Sequence, residues 1–373
     1  MKVPLVDLRA SLEPIRAELL AGFGQILDGM NLFLAEHVQR FEQEFTAFCE
    51  AEHGVAVANG TDAIFVALEA LGVGAGDEVI VPSHTFFATI AAVVHTGATP
   101  VLVDIEPETM TIDPRRVAEA VSPKTRAIVP VHLNGHPADM DPILALARAR
   151  GLFVVEDCAQ AHGARYKGRR CGSLGDAAAF SFYFTKNLGA FGECGFVTLK
   201  DANVAEIVRQ LRHHGHTSKF EHGRVGYNLR PDELQALVLR LKLRDLEANN
   251  QRRAAVARRY AEQLGPRVHL PGRRADCEPV HHLFPIRVPR RDELRAHLEE
   301  RGIGTGIHYK IPAHLQPALR THPHRVLPCP VTEATCGELV SLPMYPELTV
   351  EQIDYVAGHV RAFLEPAPAA RPR

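Results

Sequence analysis

An excess of charge, a long apolar run and a paired-cysteine motif are all missing from this sequence. Lysine plus arginine number 42 and aspartate plus glutamate 44, a near balance that steers the chain toward neither nucleic acid nor an anionic membrane and leaves small-molecule chemistry as the expectation. No uncharged apolar run reaches the roughly 18 residues a membrane span needs, and the opening MKVPLVDLRASLEPIRAELL places charges where a secretory signal has its apolar core. A cytoplasmic location is expected. The seven cysteines, Cys49, Cys158, Cys171, Cys194, Cys277, Cys329 and Cys336, are odd in number and scattered with no CxxC spacing. This argues against a disulfide framework or a zinc ribbon and fits a reducing compartment. Among 20 histidines, His213, His214 and His216, the pair His281 and His282, and His322 with His324 lie close in sequence. No HExxH or grouped carboxylate accompanies them, so no metal site is expected. Arg252, Arg253, Arg258 and Arg259 recur at near-helical spacing and read as a solvated helix face. Internal repeats are absent.

What is present is enough material for a large core, 373 residues at 46% hydrophobic. From Val55 to Leu199 short apolar runs alternate with amphipathic stretches, the pattern of an α/β domain with a largely parallel sheet. Seven strands are expected: Val55 to Ala58, Glu78 to Pro82, Thr99 to Asp104, Ala127 to Leu133, Leu152 to Asp157, Ala178 to Tyr183, and Gly195 to Leu199. Helices are expected over Ala88 to Gly97 and Ala138 to Gly151, each closed by a glycine. After Asn228 the spacing turns helical without breaks, as in one long helix or a helix pair. The remainder, through HLFPIRV and RDELRAHLEERG, predicts a smaller α+β domain. The expected division is a large domain over 1–240, a small one over 241–365, and a disordered tail, PAPAARPR, over 366–373.

Three segments carry candidate chemistry. In ANGTDAIFVALEAL (Ala58 to Leu71) a strand runs through a Gly-Thr turn into a helix. Gly60 lets the backbone approach an anion, Thr61 can cap or donate its hydroxyl, and the first N–H groups of the helix point outward. A well-capped helix is the simpler alternative. In VVEDCAQAHG (Val154 to Gly163) two acids end an apolar strand, where parallel sheets bind ligands. Asp157 there could keep a pyridinium nitrogen protonated, or it could be a solvated strand end. In AAFSFYFTKNLGAFGECG (Ala178 to Gly195) a buried-looking strand delivers Ser181 and then Lys186 into a glycine-rich loop with little charge. Desolvation would make that lysine a good amine nucleophile; a surface lysine on a loop is the simpler alternative.

These segments, together with GDEVIVPSHTFFAT, GATPVLVDI, PVHLNGHPADMDPI, GYNLRPDELQA and GIGTGIHYKIPAHLQ, occur in an order and spacing that resembles the DegT/StrS family of sugar aminotransferases, from Pro4 to about Pro346. The resemblance implies a fold-type I, pyridoxal-phosphate-dependent enzyme, with pyridoxamine phosphate as the alternate cofactor form. It implies that Lys186 condenses with the cofactor aldehyde and that Asp157 pairs with the pyridine nitrogen. Phe86 would stack on the ring, Gln160 would lie beside it, and Gly60, Thr61 and Ser181 would hold the phosphate. Asn228 would reach the phosphate of a neighbouring subunit in a homodimer, and His308 and Tyr309, with the partner-donated Lys219 and Arg230, would contact substrate.

The reaction so implied takes an amino group from an amino acid, usually glutamate, and gives it to a keto-sugar. The stretch HTSKFEHGRVGYNLRPDELQALVLRLKLRDLE leans toward the branch that aminates 3-keto sugars, so a dTDP-linked 3-keto-6-deoxyhexose is expected, with a 4-keto sugar nucleotide or a keto-inositol as alternatives. A pyridoxamine-dependent dehydratase would replace Lys186, typically by histidine, and a non-catalytic regulator would have no need of Asp157, Ser181 and Lys186 together. Phe184 and Lys310 stand where the family commonly has proline, Asn134 where it has tyrosine, and Cys194 where glycine is frequent. Asn134 and Lys310 are the two that bear on the substrate.

Overall fold

The computed structural model describes residues 1–365, and the tail expected to be disordered lies outside the described residues. No helix among them is long and apolar enough to cross a membrane. The alternating stretch folds into one sheet whose strands, in chain order, are β1 (His53–Val57), β2 (Glu78–Pro82), β3 (Thr99–Val103), β4 (Thr125–Ile128), β5 (Phe153–Asp157), β6 (Ala177–Ser181), β7 (Gly195–Leu199) and β8 (Arg325–Val326). Their spatial order is β1-β7-β6-β5-β4-β2-β3-β8. β7 runs antiparallel to β1 and β6, and every other pairing is parallel.

The mostly parallel sheet is as expected, but it has eight strands rather than seven. The addition, β8, is two residues long and so carries no alternation to detect. Its place is set by tertiary contacts: the Leu327 amide donates to the Leu102 carbonyl at 3.0 Å and Arg325 donates to the Glu78 carboxylate at 2.9 Å.

Both faces of the sheet are covered. Successive residues of a strand face opposite ways, and the two cores divide accordingly: Ile80, Val101, Val154, Ala178 and Phe180 enter one, while Val79, Val81, Leu102, Val155 and Ala179 enter the other. The first is filled by a phenylalanine cluster in which Phe45 of helix Glu36–Phe48 meets Phe180, Phe182 and Phe196 edge-on with centroids 5.0 to 5.1 Å apart. Helix Gly60–Ala70 packs on the second. The expected helices are found at Ala88–His95 and Met140–Arg150, the latter closed by Gly151 at φ 63°. The continuous helical pattern after Asn228 resolves into a pair, Glu233–Leu243 and Leu246–Leu264.

A third core gathers Tyr260, Phe284, Ile286, Leu294, Leu298 and Val356 from the C-terminal part, together with Val3 from the N-terminus. One expectation fails here. Arg253 is buried, not solvated, and its guanidinium donates to the carbonyls of Met344 at 3.0 Å and His281 at 3.3 Å. The reason is helical phase: Arg253 falls three or four residues from Asn250, Val256 and Ala257, the inward face of Leu246–Leu264.

Candidate active site

Parallel pairing of β5 and β6 brings Asp157 level with Ala179, so Asp157 and Ser181 emerge at the same edge of the sheet. Asp157 is 4% exposed. Its Oδ2 accepts from the Thr89 hydroxyl at 2.8 Å and its Oδ1 from the Ala159 amide at 3.0 Å. Thr89 bonds in turn to the Thr85 hydroxyl at 2.9 Å, which fixes the carboxylate from the segment bearing Phe86. Burial pushes the Asp157 carboxyl above its ordinary value, and the Thr89, Ala159 and Lys186 interactions only partly oppose this. A carboxylate so placed gains most from a cationic partner.

Lys186 lies in the loop after β6, its amide donating to the Tyr183 carbonyl at 2.8 Å. Among the described residues its ammonium makes no ion pair. Burial pushes it down to about 8, with Asp157 and Glu193 pulling the other way, so a usable fraction is free amine near neutral pH. The loop is held from helix Glu233–Leu243: Gln235 accepts from the Phe191 amide at 2.9 Å and Lys242 donates to the Gly189 carbonyl at 2.8 Å.

Next to it, Asn59 and not Thr61 caps helix Gly60–Ala70, accepting from the Asp62 amide at 2.9 Å. Gly60 abuts the end of β6 so closely that a Cβ there would stand 2.5 Å from that of Ser181. The result is a cradle of helix-start amides with the Ser181 and Thr61 side chains at its rim, suited to a phosphate.

On the other side Gln160, buried, accepts from the Asn134 amide at 2.6 Å and donates to the Tyr309 hydroxyl at 3.1 Å. The Tyr309 ring is 5.6 Å from that of Phe86, which is 57% exposed. His308 bonds through Nδ1 to the Ser341 hydroxyl at 2.9 Å, and its carbonyl accepts from His84 at 3.3 Å. Lys310 is exposed. Asn134 is buried, with neither side-chain atom partnered among the described residues.

Asp157, Lys186, Gly60, Thr61, Ser181, Phe86, Gln160, His308 and Tyr309 thus form one neighbourhood. Three expected residues do not join it: no contact among the described residues links Asn228, Arg230 or Lys219 to this group. Asn228 is exposed and accepts from Arg230 at 2.9 Å; the Arg230 guanidinium lies 4.5 Å over the Phe33 ring; Lys219 is exposed beside Phe220. Thr89 escaped the sequence reading. A threonine in an apolar helix carries no mark of the carboxylate it meets 68 residues later.

Ligand atoms of His132, Glu156 and Cys171 lie within 4.8 Å of one another, yet these groups are already engaged. His132 accepts the Ala138 amide at Nδ1, so Nε2 carries the proton and donates to Glu156 at 2.9 Å. The Glu156 carboxylate also accepts the amides of Gly172, Leu174 and Gly175, and burial keeps the Cys171 thiol protonated. This is a buried brace beneath Asp157.

A buried low-pKa lysine, an anchored carboxylate and a helix-start cradle are together what an aldehyde cofactor with a pyridine nitrogen and a phosphate calls for. The family model described as DegT/DnrJ/EryC1/StrS aminotransferase matches residues 14–361. A dTDP-3-amino-3,4,6-trideoxy-alpha-D-glucose transaminase of Streptomyces venezuelae is 47% identical over 98% of this chain and 97% of its own. A UDP-N-acetyl-3-dehydro-alpha-D-glucosamine 3-aminotransferase of Acidithiobacillus ferrooxidans is 44% identical over 97% of this chain and 98% of its own. The crystal structure of S. venezuelae DesV in complex with a ketimine intermediate superposes with a TM-score of 0.95 at 47% identity, covering 98% of this chain and all of that one, 100%.

Proposed function

The chain belongs to the DegT/DnrJ/EryC1/StrS aminotransferase family, and from that premise we propose that it carries an amino group from L-glutamate to the C3 ketone of a dTDP-linked 3-keto-6-deoxyhexose. The enzyme class and the pyridoxal phosphate cofactor follow from the family. The sugar is supported by two relatives, both of whose names place the nitrogen at position 3. The observation that carries the site assignment is a buried, threonine-anchored Asp157 at one strand end and, in the loop after the neighbouring strand, a buried Lys186 whose amine is pushed down to about 8.

When bound, pyridoxal phosphate supplies an aldehyde that captures amines and a ring that accepts the electron pair of a broken C–H bond. The chain supplies the rest. Asp157, anchored by Thr89, would hold a proton on the ring nitrogen, and Gly60, Thr61 and Ser181 would hold the phosphate. Phe86 would cover the ring, and Gln160, kept in place by Asn134 and Tyr309, would stand beside it. Lys186, its amine lowered by burial to about 8, would offer the free amine that such an aldehyde takes and would serve at its Nζ as the base that moves the proton at the substrate carbon. His308 and Tyr309 contact the sugar.

The homodimer reading rests on an apolar surface. Leu20, Phe23 and Leu27 of helix Arg16–Gly29 and Met30 that closes it, with Leu32, Phe33, Phe220 and Val225, are all exposed, an extent that a monomer seldom leaves to water. In that dimer Asn228, Lys219 and Arg230 complete the partner's site, consistent with their lack of contact with their own. The seven cysteines are buried free thiols, as a cytoplasmic enzyme would have. A division near residue 240 is supported by the separate third core, although Val3 and β8 cross it.

The test is spectroscopic. Purified protein loaded with pyridoxal phosphate is expected to show the visible band of a lysine-bound cofactor, lost on adding glutamate and not formed by Lys186→Ala. Pyridoxamine-loaded protein should then aminate dTDP-linked 3-keto sugars in preference to 4-keto sugars or keto-inositols; turnover of only another ketone would refute the substrate.

A further inference from the structure

One buried histidine beside the lysine loop has a role in neither the cofactor nor the substrate set. His282, 8% exposed, is fixed through its main chain, its amide donating to the Asn134 carbonyl at 2.9 Å. Its Nδ1 lies 3.1 Å from Oδ1 of Asn187, the residue after Lys186. The Asn187 amide is itself oriented: its nitrogen donates to the Val280 carbonyl at 3.0 Å and to Oδ1 of Asn250 at 3.0 Å, while Asn250 donates to the His162 carbonyl at 2.8 Å. With both hydrogens of Asn187 committed, its oxygen can only accept. Nδ1 of His282 must therefore carry the proton, leaving an unshared pair on Nε2.

That Nε2 has no partner among the described residues and is not one of the atoms sealed from solvent. Burial keeps the ring neutral, and Lys186 is the foremost charged neighbour acting in the same sense, with His308 also within reach. Burial, with the same lysine acting in the same sense, also lowers His308.

We propose that His282 is a positioning residue for Lys186: its Nε2, locked as an acceptor through Asn187 and Asn250, takes a hydrogen bond from the Lys186 amine whenever that amine is released from the cofactor. Lys186 must be parked and aimed between its two uses, and a neutral acceptor does this without neutralising a proton the lysine has to deliver, as a carboxylate would. No bond joins the two in the structure, so the lysine side chain has to swing to make it.

The proposal rests on Lys186 being the cofactor lysine, and the experiments separate the two ideas. Nitrogen-15 imidazole spectra of the cofactor-free protein should show His282 as the Nδ1–H form at neutral pH, with its Nε2 resonance shifted in Lys186→Ala. An Nε2–H form in the wild type overturns the proposal even if no variant folds, and a resonance indifferent to Lys186→Ala overturns it as well. In His282→Asn the short amide can replace the bond to Asn187 but offers nothing at the Nε2 position; His282→Gln does the reverse. The expected pattern is a near-unchanged melting temperature for His282→Asn with kcat down about tenfold or more and KM for the amino donor little altered, and partial recovery of kcat in His282→Gln. Wild-type kcat in His282→Asn overturns the proposal. A Lys186→Ala protein that still forms the visible cofactor band would instead refute the site assignment beneath it, whatever the tautomer.

Discussion

Burial acts in opposite directions on the two central groups, lowering the Lys186 amine to about 8 and raising the Asp157 carboxyl. The lysine has a consequence for stability that does not depend on turnover. Between pH 8 and its ordinary value of 10.5 the unfolded chain holds a proton that the folded protein has released, so stability rises with pH across that window. Below about pH 8 both states are charged and the cost of burying the ammonium is fully present. Cofactor-free Lys186→Met is therefore expected to be more stable than the parent at pH 7, by up to about 3 kcal/mol, with the advantage fading by pH 10.5. Urea unfolding at both pH values decides this, and an equal gap at the two would contradict it. Glu156 makes the complementary case. Burial alone would raise its pKa, yet the bonds from His132 and the amides of Gly175 and Gly172 bring it below the ordinary value. Removing it strands those donors, and Glu156→Ala should lose about 1 to 3 kcal/mol for each donor left buried without a partner, in the same assay at neutral pH. Lys186 and Asp157 were legible because each breaks an apolar stretch at a place where a loop begins. Thr89, Asn187 and His282 were not, since their meaning lies in contacts to residues far along the chain, and the burial of Arg253 follows from helical phase, which its charge masks in the sequence.

Secondary structure was legible where apolar runs of four residues or more alternated with amphipathic stretches, and this covers the first seven strands and helices Gly60–Ala70, Ala88–His95 and Met140–Arg150. It failed at β8, whose two residues are held by Leu102 and Glu78 and by nothing in their own pattern. Glycines show how far local rules reach. Alanine is the better helix former by about 1 kcal/mol, and at Gly337, in helix Pro330–Glu338 with nothing within 4 Å of a Cβ, Gly337→Ala should add about 0.5 kcal/mol to stability. Gly60 is also helical, but there the new Cβ would meet Ser181 at 2.5 Å and force the helix start away from β6. Gly60→Ala is expected to bind pyridoxal phosphate at least about tenfold more weakly, as seen in an absorbance titration, because a displacement near 1 Å is enough to spoil a preorganised cradle. Unchanged affinity would mean that this turn does not hold the phosphate.

Among the described residues, about half of the large apolar side chains left in water fall on helix Arg16–Gly29 and Met30 just after it, the Leu32–Phe33 segment and the Phe220 to Val225 region. Such a distribution was not legible beforehand, because a helix that meets a second chain has the same spacing of apolar residues as one that meets its own core. The proposed partner is a second copy, and the same association would carry Asn228 to the phosphate cradle of the other subunit. Phe23 and Leu27 stand four apart and so share a helix face. The double variant Phe23→Glu with Leu27→Glu puts two charges into that interface and is expected to sediment as a monomer, and to bind pyridoxal phosphate weakly because each site has lost the partner's contribution. Asn228→Ala should remain dimeric while binding the cofactor more weakly, which separates the contact from the assembly. Should the double variant stay dimeric, the interface lies elsewhere; should it become a monomer of undiminished cofactor affinity, Asn228 does not reach across and the site is complete within one chain.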